Sequence, residues 1–219
     1  MFGNTRKRVR LLLPALVAVA AVAVPTSASA AVSDGTVAHN QYSSWISYLY
    51  AFGGSASASS PAVYDDQSDS DRTNDVATFG FTATDTDYTI ANPFAGSGTV
   101  AFEGDLFYDN ASHYIDIDIS DPQVEIPNVS SSAAKLTALV SYDPLEVPGP
   151  QVANPTTPTR IDLYDLDLSG TFSGGSSIHS WTGVPAELTA DGAFAFSGGG
   201  HGGYSAGQPF GTLDITAEN

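Results

Sequence analysis

The sequence predicts an all-β fold, an antiparallel β-sandwich or partly closed barrel, with one short N-terminal α-helix. Three observations carry that prediction. Apolar residues alternate in the region from Val76 onward, as in Val100, Phe102, Leu106 and Tyr108, and again in Leu136, Ala138, Val140 and Tyr142. Such alternation gives each strand one buried face and one wet face. Turn signals separate these runs, and only residues 40–54, NQYSSWISYLYAFGG, show a helical period.

Residues 1–30 read as a secretory signal peptide. Arg6, Lys7, Arg8 and Arg10 precede an apolar run over residues 11–24, and Ala28-Ser29-Ala30 is a small-residue cleavage site. A membrane anchor is the competing reading, but the run is short for a span of about 20 residues. Residues 31–219 then form a single domain, long enough to bury a core. The leader holds four of the seven strong bases. The mature domain keeps Arg72, Lys135 and Arg160 against 24 acids, a net charge of −21. That surface repels nucleic acid and anionic membranes. With no cysteine, no disulfide frames the fold and no lipidated cysteine anchors it. No second apolar run approaches Asn219, so no membrane insertion is expected once the leader is cleaved.

Tyr42, Trp45, Ile46, Leu49 and Phe52 recur at steps of three and four, which places them on one face of the helix. Asn40 can cap its start and Gly53 can end it. Ser44 and Tyr48 lie one turn apart on a different flank, which leaves the Tyr48 phenol free to face a pocket. Residues 55–75 turn to Ser, Ala and Asp and read as a solvated loop. Asp65, Asp66, Asp69, Asp71 and Asp75 offer oxygen ligands to calcium, although the glycine and terminal glutamate of an EF-hand loop are missing.

The predicted strands cover residues 77–82, 98–108, 113–120, 123–126, 134–142, 160–169, 186–190, 193–197 and 211–216. In 160–169 the apolar parity slips between Leu163 and Leu166, which predicts a bulge near Tyr164 and Asp165. Residues 143–159 hold five prolines and form an extended loop long enough to be a flap.

In HYIDIDI, residues 113–119, His113 shares a face with Ile115, Ile117 and Ile119 and stands at the mouth of an apolar stripe. The plainer alternative is a strand-end histidine bonded to backbone or water. In GGGHGGYSAG, residues 198–207, glycines let the backbone approach a flat ligand, with His201 and Tyr204 as the large side chains. The plainer alternative there is a flexible loop. His39 and His179 are expected to be exposed and idle. No G-x-S-x-G, HExxH or cysteine supports catalysis, and the pairs Asp116/Asp118 and Asp165/Asp167 are expected on solvated faces.

Several stretches together resemble the HtaA-type haem-binding domain of secreted and surface actinobacterial proteins. They are S-x-x-x-Y at Ser44 and Tyr48, GSGTVAFEG followed by IDIDISDPQVEI, and GVPAELTADGAFAF with YSAG over residues 183–207. The resemblance implies an extracellular, non-enzymatic protein that binds haem b non-covalently in the ferric state, for haem capture or relay in iron acquisition. It implies Tyr48 as the iron ligand, Ser44 as a polar contact, His113 as the histidine supporting Tyr48, with His201 as its rival, and Tyr204 as an aromatic wall. Other cell-envelope relay proteins would be its partners. The chain departs from the family pattern at three points, one of them a longer glycine run before Tyr204. Asp105, not histidine, follows Gly104, with LFYDNAS before His113, and Trp45, Ile46 and Ser47 leave no basic residue inside S-x-x-x-Y. A cell-envelope binding or structural module that keeps the domain without haem is the second reading.

Overall fold

The structure is a computed structural model and describes residues 29–66, 74–113, 115–142, 157–197 and 203–219. The elements run β1 (Ala30–Ala31), β2 (Asp34–Gln41), α1 (Ser43–Ala51), β3 (Ser55–Ser59), β4 (Val63–Asp65), β5 (Val76–Thr82), β6 (Thr89–Asn92) and β7 (Ala95–Glu103). They continue with β8 (Asp105–Asn110), a 3-10 turn (Ala111–His113), β9 (Ile115–Ile126), β10 (Ala134–Tyr142), β11 (Thr159–Leu166), β12 (Phe172–Gly174), β13 (Ile178–Leu188), α2 (Ala190–Phe196) and β14 (Pro209–Glu218).

Eight strands form an antiparallel ring in the order β7-β5-β2-β14-β13-β11-β10-β9, and pairing between β7 and β9 closes it. Closure leaves the ring no open edge. The expected all-β architecture is therefore a closed barrel. Its interior is packed: Val37, His39, Phe79, Leu136, Leu163 and Leu213 surround a residual void of about 10 Å³. That is room for one water at most. A large ligand has no place in the lumen and must sit outside it.

Several boundaries differ from expectation for identifiable reasons. The run over 98–108 is two strands, broken at Gly104, whose φ is +115°. A Cβ there would lie 2.5 Å from the Ala62 nitrogen, so the chain can pass only as glycine. Residues 115–126 form one strand instead of two, with a bulge at Asp121-Pro122 opposite Ala138. The β11 bulge lies at Leu163, one residue before its predicted place, because Leu136 pairs with Tyr164 and Thr137 with Asp162. Leu163 and Tyr164 are consequently both buried.

Of residues 193–197, expected as a strand, 193–196 belong to helix α2 and Ser197 is its C-cap. The Thr189 hydroxyl accepts from the Gly192 N–H at 3.0 Å and caps it. Burial of Ala193, Ala195 and Phe196 together overrides the alternating pattern. The expected loop over 55–75 contains β3 and β4, and Asp75 is buried, with one carboxylate oxygen accepting from the Tyr64 hydroxyl at 2.7 Å. Asp69 and Asp71 lie outside the described residues, as do residues 143–156 of the proline-rich loop and residues 1–28 of the leader. Among the described residues no helix is long and apolar enough to cross a membrane, which leaves strands unaddressed.

Candidate functional site

Helix α1 leaves the end of β2 at Gln41, whose N–H donates to the Asp75 carbonyl. Asn40 stays in β2, paired with Thr212, so the helix starts from Tyr42 and carries no side-chain cap. The Tyr42 carbonyl accepts from the N–H groups of Trp45 and Ile46. At the other end Gly53 has φ +78°, the Gly53 N–H donates to the Tyr50 carbonyl and the Gly54 N–H to the Leu49 carbonyl. This is a Schellman termination, as the glycine predicted.

Trp45, Ile46 and Leu49 are buried against the barrel mouth. The Trp45 ring meets Tyr108 at 5.5 Å, Phe196 at 5.3 Å, Tyr204 at 6.0 Å and Phe210 at 6.3 Å. That anchor turns the opposite flank outward. Tyr48 is 39% exposed and Ser44, one turn earlier, is exposed as well.

The helix end is tied to the segment that carries His113. Asn110 is buried and donates through Nδ2 to the Leu49 carbonyl at 3.0 Å. The Ser112 hydroxyl contacts the Phe52 carbonyl at 3.1 Å and Asn110 Oδ1 at 2.8 Å. Gly54 permits this seam, since a Cβ there would lie 2.5 Å from the Asp109 carbonyl oxygen. These contacts bring His113 Nδ1 to 2.5 Å from the Tyr48 hydroxyl.

His113 does not continue the isoleucine stripe. It closes the 3-10 turn, half-buried, two residues before β9 begins at Ile115. The LFYDNAS stretch that separates it from Gly104 supplies β8 and the start of that turn.

Phe52, expected in the core, is 50% exposed. Its ring lies 4.1 Å from the His113 ring and 5.2 Å from the Tyr48 ring. The three-four spacing assigned it to the buried face, but α1 ends at Ala51 and the face no longer applies. The Gly53-Gly54 pair is the signal that would have marked it. Tyr204 is half-buried between Trp45 and Phe210, whose ring lies 5.2 Å away. Burial, with Tyr42 and Tyr48 nearby, pushes its phenol up to about 12. His201 lies outside the described residues.

The two histidines expected to be idle are structural. His39 is buried, with Nε2 donating to the Phe210 carbonyl at 3.0 Å and Nδ1 accepting from Gln41 Nε2 at 3.1 Å. Gln41 Oε1 in turn accepts from the Tyr108 hydroxyl. His179 is buried too, bonded to the Tyr88 hydroxyl at 2.7 Å and the Asn92 carbonyl at 3.0 Å. Nor is the outer face of β9 fully solvated. Asp118 is half-buried, and burial followed by the charges of Asp105, Asp116 and Asp121 raises its carboxyl to about 6.

Tyr48, His113 and Phe52 thus form an exposed cluster of phenol, imidazole and phenyl ring on the outer flank of α1. The Htaa family model matches residues 34–216. The chain belongs to the Htaa family. Among solved structures the Htaa chain is similar to the C-terminal domain of HtaA from Corynebacterium glutamicum, at 14% identity and TM-score 0.61, covering 86% of this chain and 98% of that one. It is similar to the N-terminal domain of the same protein, at 19% identity and TM-score 0.59, with the same coverage. It is also similar to the heme-binding protein HtaB of that organism, at 13% identity and TM-score 0.54, covering 88% and 96%. At these identities the likeness establishes the Htaa fold. No match was found among curated protein sequences.

Proposed function

We propose that the protein is an extracellular haem-binding protein that captures or relays haem in iron acquisition, without catalysis, and that Tyr48 holds ferric haem non-covalently. The observation that carries this reading is the 2.5 Å contact between the Tyr48 hydroxyl and His113 Nδ1 on an exposed aromatic surface. Membership of the Htaa family and the likeness to a heme-binding protein of the same fold support it. The leader supports an extracellular location.

Bound ferric haem supplies an iron that a phenolate, a hard anionic donor, can ligate. Tyrosine ordinarily loses its proton only near pH 10, so that proton needs a destination. With haem bound, His113 Nδ1, in contact with the Tyr48 oxygen, would receive that proton and hold it as a hydrogen bond to the phenolate. Phe52 packs on the His113 ring and holds its edge toward Tyr48, while Tyr204 and Trp45 form the aromatic backing. The S-x-x-x-Y stretch carries no basic residue, and hydroxyls such as Ser44, backbone N–H groups or solvent would meet the haem propionates.

Titration of the purified protein with ferric haem is expected to give a saturable Soret band with high-spin tyrosinate character, abolished in Tyr48→Phe. A band unchanged in Tyr48→Phe removes Tyr48 from the ligand role. A second reading, a haem-free envelope module, is favoured by the absence of any basic residue between Ser44 and Tyr48. A titration without saturable change selects it.

A further inference from the structure

We propose that the barrel wall carries a second ligand site, separate from Tyr48, for a small zwitterion: the paired carboxylate and ammonium of a free amino acid or unblocked dipeptide. The site is a cleft of about 310 Å³ between the β5–β6 connection and the outer faces of β7, β9, β10 and β11. Thr84, Asp85, Glu103, Asp121, Gln123 and Arg160 line it. Its volume is at the lower end of small-molecule sites.

Arg160 is the reason to expect a ligand. Its Nη2 donates to the Asp121 carbonyl at 3.0 Å and its Nη1 to Thr137 Oγ1 at 3.3 Å. Both acceptors are neutral, and among the described residues no carboxylate pairs with it, although acids outnumber bases 24 to 7 in the chain. A guanidinium has five N–H donors in a planar fork; Arg160 is exposed, so the remaining three face solvent and are open to a carboxylate, the partner that this fork fits best.

A turn and a bulge shape two sides of the cleft. Asp85 and Asp121 have φ of +62° and +47°, the two non-glycine residues in the left-handed region among those described. Both line this cleft. At Asp121 the carbonyl grips Arg160, and the side chains of Asp85 and Glu103 give the wall a negative side.

Charge decides the ligand class. A simple anion is repelled by the field of an acidic chain, and a simple cation meets Arg160. A molecule with both charges satisfies both sides, and Thr84 and Gln123 offer hydrogen bonds to what lies between.

The test is a titration of the purified protein with L-alanyl-L-alanine, followed by amide NMR shifts, beside its N-acetyl and C-amide derivatives. Saturable shifts at Glu103, Gln123 and Arg160 are expected with the free dipeptide and are lost with either blocked form. Arg160→Gln is expected to weaken binding about ten- to a hundredfold, and Glu103→Gln to weaken it without unfolding the barrel. Should Arg160→Gln fail to fold, Arg160→Lys, which keeps the charge without the fork, is expected to weaken binding by a smaller factor. No saturable shift, equal response to a blocked dipeptide, or unchanged binding in the Arg160 variant would overturn the assignment. Haem titration of the same variants is expected to be unchanged.

Discussion

Acidification should weaken the fold through one buried ring, His39. Its Nε2–H is committed to the Phe210 carbonyl, so Nδ1 must stay bare to accept from Gln41 Nε2. Protonation would set an Nδ1–H against that amide N–H, and it would place a charge in the packed barrel, where His39 is 5% exposed. Burial accordingly lowers the His39 pKa from 6.5 to about 4, against the raising effect of the Phe210 bond. Because the folded value lies below the unfolded one, the unfolded chain binds more protons between them, and stability rises with pH. The contribution is intact above pH 6.5, falls as pH drops through that value, and is fully lost near pH 4. The displacement corresponds to about 3 kcal/mol. Other carboxylates titrate in the same range, so the comparison must be with a variant. His39→Gln keeps a donor and an acceptor but cannot titrate. Urea unfolding at several pH values, followed by the fluorescence of buried Trp45 and Trp181, gives each protein's slope. Whatever His39→Gln costs at pH 7, the wild type should lose about 3 kcal/mol more than the variant between pH 7 and 4. Parallel curves would refute the assignment of a neutral, doubly bonded His39.

Asp118 should act in the opposite direction. Its folded pKa is raised from 3.8 to about 6, so its ionised form is a destabilising element above pH 6. With its half-exposure discounted, Asp118→Asn should stabilise the protein at pH 7 by about 1–2 kcal/mol and not at pH 3.5, read by the same unfolding curves. Gly104→Ala should cost at least about 2 kcal/mol, from both the φ of +115° and the 2.5 Å approach to Ala62, and a thermal melt shifted by less than a degree would contradict that.

Much of this molecule was legible in the residues. Alternation marked β8 and most of β10, and the parity slip marked the β11 bulge to within a residue, because a barrel wall with one buried face favours period two. The Tyr48 flank was legible because Trp45, Ile46 and Leu49 define the buried face on their own. What failed did so where tertiary contact overrides local pattern. Residues 193–197 alternate like a strand, yet Thr189 caps a helix there. His113 sits on a stripe in the sequence and off it in space, because the chain turns at Ala111–His113 before the strand begins. The bonds from His39 to Phe210 and from His179 to Tyr88 join residues 171 and 91 positions apart, which no local window contains.

Resonance Raman spectroscopy of the ferric-haem complex, with ring-labelled tyrosine, tests the Tyr48 assignment most directly. Iron–phenolate bands that shift with the label are expected, absent in Tyr48→Phe and displaced in His113→Ala, whose haem affinity should fall about ten- to a hundredfold. A spectrum of histidine-ligated iron insensitive to the tyrosine label would contradict the account.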